Sequence, residues 1–159
     1  MPTVALSDYR VLAAFRFEIR KFLAFSEKAA REAGVEPQQH QLMLAVKGLP
    51  AEQRPTIRAL AGRLCVEHHT TVALVDKLEA RGFVTRERGR DDRREVFVHL
   101  TAPGLALLRR LSALHREQLI GVGPGMVSAL QAILESRAPA RRAAAVKSAA
   151  LKPKKSRPK

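Results

Sequence analysis

Residues 56–101 read TIRALAGRLCVEHHTTVALVDKLEARGFVTRERGRDDRREVFVHLT, and the order of patterns within them decides the fold. Thr56 is placed to cap a short helix whose Ile57, Leu60, Ala61 and Leu64 recur at core spacing. After a tight link at Cys65 and Val66, a second helix begins near His68 or His69 and runs to Ala80. Its buried stripe is Thr71, Leu74, Val75 and Leu78, and Gly82 closes it. Phe83 to Arg88 and Glu95 to Leu100 then read as two strands, with Val84 and Val96, Val98, Leu100 alternating. Between them GRDDRR is too polar for anything but a solvent-facing tip. A helix, a tight link, a second helix and an arginine-loaded hairpin are the parts of a winged helix-turn-helix, in order.

Outward from that centre the chain reads as helical. Ser7 or Asp8 can cap a long helix reaching to about Ala33, with Leu12, Phe15, Ile19, Phe22 and Ser26 on one face and Val11, Ala14, Phe25 and Ala29 widening it. Gly34 ends it. Glu36 and Pro37 start another helix through Lys47, with Leu42, Met43 and Val46 inward, until Gly48 and Pro50 break it. Thr101 caps a fifth helix carrying Leu107, Leu108, Leu111 and Leu114. GVGPG at Gly121 to Gly125 is expected to interrupt it before a sixth helix with Met126, Leu130, Ile133 and Leu134. The expected fold is mainly α with a small β-wing. It divides into an N-terminal dimerisation helix (1–34), a winged helix-turn-helix domain (35–101), C-terminal dimerisation helices (102–137) and a basic, disordered tail (138–159). The terminal helices offer more apolar face than one small core can cover, and uncovered stripes become interfaces. A two-fold dimer places its recognition helices one duplex turn, about 10 bp, apart.

The formal charge is +14, yet from Arg137 onward there are nine basic residues and no acidic one. The rest carries twenty basic against fifteen acidic side chains, so a mildly basic body bears a strongly basic tail. One cysteine, Cys65, excludes an internal disulfide framework and reads as a small buried hydrophobe. The N-terminus has no signal-peptide pattern, and no stretch approaches the roughly 18 apolar residues of a membrane span. A cytoplasmic location is expected.

Away from its buried stripe, the second helix of the motif presents His68, His69, Thr70, Val72, Ala73 and Lys77. Histidine and threonine hydrogen-bond base edges or phosphates, and Val72 suits a thymine methyl. Backbone N–H groups at this helix start favour a phosphate. On the hairpin, Arg86, Arg88, Arg90, Arg93 and Arg94 surround Asp91 and Asp92. Guanidinium groups on a long hairpin suit a narrow, electronegative minor groove, with Asp92 holding Arg94. Arg81 and Arg86, at the strand base, are expected to meet phosphate oxygens.

From about Tyr9 to Ile133 the chain resembles the MarR (multiple antibiotic resistance regulator) family of bacterial winged-helix transcription factors. TIRALAGRL, HHTTVALVDKLEARGFVTRE and DDRREVFVHLTAPG carry the resemblance. It places Asp92 and Arg94 at the aspartate and second arginine of the family's D-x-R wing motif. It implies a homodimer, built by the first and last two helices, on a pseudo-palindromic operator in double-stranded DNA. In many members a small-molecule or redox signal lowers DNA affinity. The pocket implied by the resemblance has Phe15, Arg16, Ile19, Arg20, His40 and Met43 as candidate linings here, with an aromatic or anionic effector paired to Arg16 or Arg20. Peroxide-sensing members use a first-helix cysteine, which this chain lacks.

The function expected is a dimeric, sequence-specific transcriptional regulator, acting as a repressor, with the recognition helix in the major groove and the arginine wing in the minor groove. The alternative is an architectural DNA-binding protein relying on the basic tail. No cofactor or metal is expected: Cys65, Glu67, His68 and His69 match no structural zinc spacing. No catalytic constellation is recognisable, and GVGPG follows no strand and lacks the lysine of a phosphate-binding loop.

Overall fold

A computed structural model describes residues 4–89 and 95–136. The elements are α1 (Leu6–Glu32), α2 (Pro37–Gly48), α3 (Ile57–Leu64), α4 (His68–Ala80), β1 (Val84–Arg88), β2 (Val96–Leu100) and α5 (Ala102–Ser136). They form two compact units. Residues 23–119 make one, and the outer ends of α1 and α5 belong to the other.

In the larger unit, α2, α3 and α4 close around Leu42, Met43, Ile57, Leu60, Leu74, Val75 and Leu78, joined by Val84 and Val98 of the wing and Leu108 of α5. Each fully buried leucine stabilises the unit by about 2 kcal/mol, so this cluster dominates its energetics. A second cluster of Ala29, Ala30, Val35 and Leu111 seats the inner ends of α1 and α5, with Phe83 packed against it.

Chain reversals are built the same way twice. At the end of α1 the Gly34 N–H donates to Arg31 O (2.9 Å) and the Val35 N–H to Ala30 O (3.0 Å). At the end of α4 the Gly82 N–H donates to Glu79 O (2.9 Å) and the Phe83 N–H to Leu78 O (2.9 Å). Both are Schellman caps, and both glycines hold positive φ, +81° and +70°. The apolar residue after each glycine, Val35 or Phe83, falls into the same cluster.

Helix starts follow the expected caps at Thr56, whose Oγ1 accepts from the Ala59 N–H (3.2 Å), and at Thr101, whose Oγ1 accepts from the Gly104 N–H (3.2 Å). Thr101 also donates its hydroxyl to Gly82 O at 2.6 Å, so the start of α5 is bonded to the turn that ends α4. At the first helix, however, the cap differs: α1 begins at Leu6, and Asp8 Oδ2 accepts from the Ala5 N–H (2.9 Å) from inside the first turn.

β1 and β2 pair antiparallel from Val84↔Leu100 to Arg88↔Val96. β2 is not simply alternating, because Phe97 and Val98 are both buried. Val98 faces the core. Phe97 is covered by the Arg54 guanidinium, 3.8 Å from its ring centroid, and pairs through a lone bridge with Thr56. The segment before α3 thus supplies a third short edge to the wing.

Two expectations are corrected. GVGPG does not break the last helix: α5 runs unbroken from Ala102 to Ser136 with Pro124 inside it, so one C-terminal helix replaces the expected two. Proline in a helix interior costs about 3 kcal/mol and each glycine about 1, so the helix forms here against local preference. In the smaller unit, a Cβ on Gly125 would lie 3.3 Å from Glu18 Oε2 of α1, so glycine permits a close helix approach. Cys65 is exposed rather than buried, and it stands in the left-handed region (φ 54°) as the C-cap of α3. Its thiol donates back to Gly62 O of α3 (3.8 Å) at the surface. The tail expected at 138–159 lies outside the described residues.

Gly104 gives the fold a checkable constraint, since a Cβ there would sit 2.0 Å from the carbonyl oxygen of Phe83. Gly104→Ala should destabilise the protein by roughly 1–3 kcal/mol through overpacking. Gly62→Ala, where no atom lies within 4 Å of the added carbon, should leave stability unchanged or raise it by up to about 1 kcal/mol. Urea unfolding of the two variants tests the contrast.

Candidate nucleic-acid interface

The exposed face of α4 is set by the face it buries. Thr71, Leu74, Val75 and Leu78 are buried, so at 100° per residue His69, Ala73, Asp76 and Ala80 lie opposite, all exposed. His68 and Lys77, also exposed, and Thr70, half-buried, flank this face. Val72 is half-buried against the core, which leaves it less surface than a base-edge contact was expected to use. At the start of α4, Glu67 occupies the cap position in extended conformation and its side chain makes no capping bond. The first-turn N–H groups are therefore available to an anion.

Arg86 is where the structure departs most from expectation. Its side chain is 26% exposed and points back to α4 rather than outward to a phosphate. Nη2 donates to Asp76 Oδ1 (2.5 Å) and to Val72 O (3.3 Å), and Nη1 donates to Glu79 Oε2 (2.6 Å). The Arg86 backbone N–H donates to Glu79 Oε1 (3.1 Å). Burial works against the charge on this guanidinium, but the bonds and attraction of Asp76 and Glu79 outweigh it and raise its pKa above the ordinary value. One side chain therefore fastens β1 to three points on α4. Its planar fork suits that geometry, and a lysine cannot reproduce it.

Asp76 and Glu79 escaped the sequence reading. The signal that finds them is the series 72, 76, 79 on one helical face, followed by an arginine two residues into the next strand. Arg54, stacked on Phe97 and 3.7 Å from Glu95, was missed for the same reason: its partners are distant in sequence.

Arg88 is exposed at the end of β1, and Gly89 N–H still pairs with Glu95 O (2.9 Å). Arg90, Asp92, Arg93 and Arg94 lie outside the described residues. Arg81 caps α4 with its guanidinium carbon 4.9 Å from the Phe83 ring centroid.

The six residues expected to line an effector pocket divide between the two units. Phe15 and Ile19 are half-buried, and Arg16 and Arg20 exposed, on the outer part of α1. Met43 is fully buried among Leu42, Leu60 and Leu78, so it is a core residue rather than a pocket lining. His40, 2% exposed, stacks on His115 with ring centroids 4.7 Å apart. No three His, Cys, Asp or Glu side chains among the described residues gather into a metal-binding group. No described helix is long and apolar enough to cross a membrane.

Comparison with known proteins fits this geometry. A MarR family model matches residues 33–95, the span from the end of α1 through the wing. The uncharacterised HTH-type transcriptional regulator YkoM of Bacillus subtilis is 30% identical over 115 residues, covering 70% of this chain and 68% of that protein. The chain belongs to the MarR family. A Thauera aromatica protein, named for transcriptional regulation of the hcr operon, is 28% identical over 96 residues. That match covers 60% of this chain and spans just over half, 56%, of the relative's own length. Among solved structures, the transcriptional repressor CouR of Rhodococcus jostii RHA1, bound to a 23-mer DNA duplex, is 26% identical with a TM-score of 0.60. It covers 77% of this chain and 87% of that one.

The MarR wing of this chain should loosen if its fastening is cut. Arg86→Ala is expected to lower stability by roughly 1–3 kcal/mol, with Arg86→Lys recovering only part. Urea midpoints at constant m-value report it, and an Arg86→Lys variant as stable as the parent would show that the fork is dispensable.

Proposed function

We propose that the chain is a dimeric, sequence-specific DNA-binding transcriptional regulator acting as a repressor. The observation that carries the reading is the outward face of α4, whose polar rim of His68, His69, Thr70 and Lys77 surrounds small Ala73 and Ala80, on a helix locked to a wing. Small residues let the helix approach a major groove closely, and the rim supplies donors for base edges and phosphates. Arg90, Arg93 and Arg94, with Asp92 as orienter, are assigned to the minor groove from their sequence pattern.

Dimer formation is supported by apolar side chains left exposed in the smaller unit: Leu6, Tyr9, Leu12 and Phe17 on α1, and Ile120, Val127, Leu130 and Leu134 on α5. A face of this kind is covered by a second copy in a symmetric assembly. CouR has been solved with p-coumaroyl-CoA as well as with DNA. For this chain an aromatic or anionic effector remains the proposal, with exposed Arg16 and Arg20 as its charge partners. Family membership does not favour the architectural alternative.

Selection of bound duplexes from a random pool tests the reading directly. One inverted repeat with half-sites about 10 bp apart is expected, and uniform recovery of unrelated sequences would refute sequence specificity. With the selected duplex, Arg94→Ala should weaken binding by roughly 1–3 kcal/mol in a gel shift. Removing residues 139–159 should flatten the salt dependence while leaving the selected sequence the same.

A further inference from the structure

His40 has no hydrogen-bond partner at either ring nitrogen, although it is 2% exposed. Buried polar groups are nearly always paired, so an imidazole left this way needs a reason. Its ring lies against that of His115, 4.7 Å between centroids at an interplanar angle of 33°. His115, by contrast, is held from both sides. Nδ1 is 2.6 Å from Leu111 O, which can only accept, so Nδ1 carries the hydrogen. Nε2 is 2.7 Å from Ser26 Oγ, whose hydroxyl then donates to it. Phe25 packs edge-on against the same ring at 5.7 Å.

The two rings join three helices: His40 comes from α2, His115 from α5, and Ser26 and Phe25 from α1. The surroundings hold little that could neutralise a proton. Ser26 and Phe25 of α1 do not titrate, and α5 contributes His115 itself. At the cap of α2, Glu36 is exposed one turn away. Among the described residues no charge from α3, α4 or the wing bears on the His40 ring; His115 alone does.

We propose that the His40–His115 stack is an acid-operated latch: a proton entering the pair releases α2 from α1 and α5 and lowers affinity for DNA. The inference rests on the DNA-binding reading above and adds the proton as an effector. His115 has a partner at each ring nitrogen. His40 has none. Charged, it needs two acceptors, and its buried seat offers none and faces a second imidazole. Burial first, and the charge of His115 second, lower its pKa from 6.5 to about 4.

The sign follows from linkage. The folded pKa lies below the value in water, so a state with His40 released binds more protons between these two limits. The closed latch is fully stable above pH 6.5 and loses ground as pH falls toward 4. At pH 5 release is favoured about 20-fold more than at pH 7. α2 carries Leu42 and Met43 into the core that α4 shares, so its release reaches the recognition helix.

Two measurements on the full chain test this. Amide exchange of α2, expressed as protection relative to the intrinsic rate and followed without DNA, should fall about 30-fold from pH 7.5 to pH 5.0. Binding of the pool-selected duplex at constant ionic strength should weaken over the same range. His40→Phe keeps a flat ring but cannot titrate. It should hold its affinity across that range. Unchanged α2 protection in the wild-type chain would overturn the latch. An equal acid loss of DNA affinity in His40→Phe would overturn it too. Should no duplex bind at pH 7.5, the regulator reading fails and the exchange experiment alone decides the latch.

Discussion

A single guanidinium sets the geometry on which the DNA-facing surface depends. Arg86 reaches from β1 to Val72 O, Asp76 and Glu79, spaced about a turn apart along α4. A two-stranded hairpin is marginal by itself in water and needs a partner to stay put. Here the partner is the recognition helix, so groove reader and wing are held as one body. The same bonds neutralise Asp76 at the centre of the exposed face, where an unpaired carboxylate would repel a phosphate backbone.

The far end of α4 is held by different means. Its Schellman cap delivers Phe83 to the cluster that also receives Val35, and Thr101 bonds the cap's carbonyl to the start of α5. Gly104 lets the first turn of α5 touch the Phe83 backbone. Core packing, the arginine fastening and the glycine contact therefore act on one helix from three directions. On the neighbouring α2, within the larger unit, the His40 ring is buried with neither nitrogen bonded.

Much of this was legible because the winged-helix portion is locally consistent. Thr56, Gly82 and Thr101 punctuate it, and each apolar stripe agrees with the period of its element. What was not legible depends on contacts distant in sequence. Phe97 read as outward until Arg54, over forty residues earlier, covered it. Arg86 read as a phosphate contact because its acidic partners precede the turn. GVGPG read as a break because its local preferences are those of one, yet α5 continues through it. Cys65 read as buried because cysteine is commonly so; its exposed place as the C-cap of α3 belongs to the turn, not to the residue type.

That exposed thiol has a practical side. The chain contains one cysteine, and it stands at the corner between α3 and α4 with its side chain in solvent. A maleimide dye attached there would ride three residues ahead of His68 without entering the core. Arrival of a duplex would change the dye's surroundings, making the corner a natural place for an optical reporter on an otherwise tryptophan-free protein.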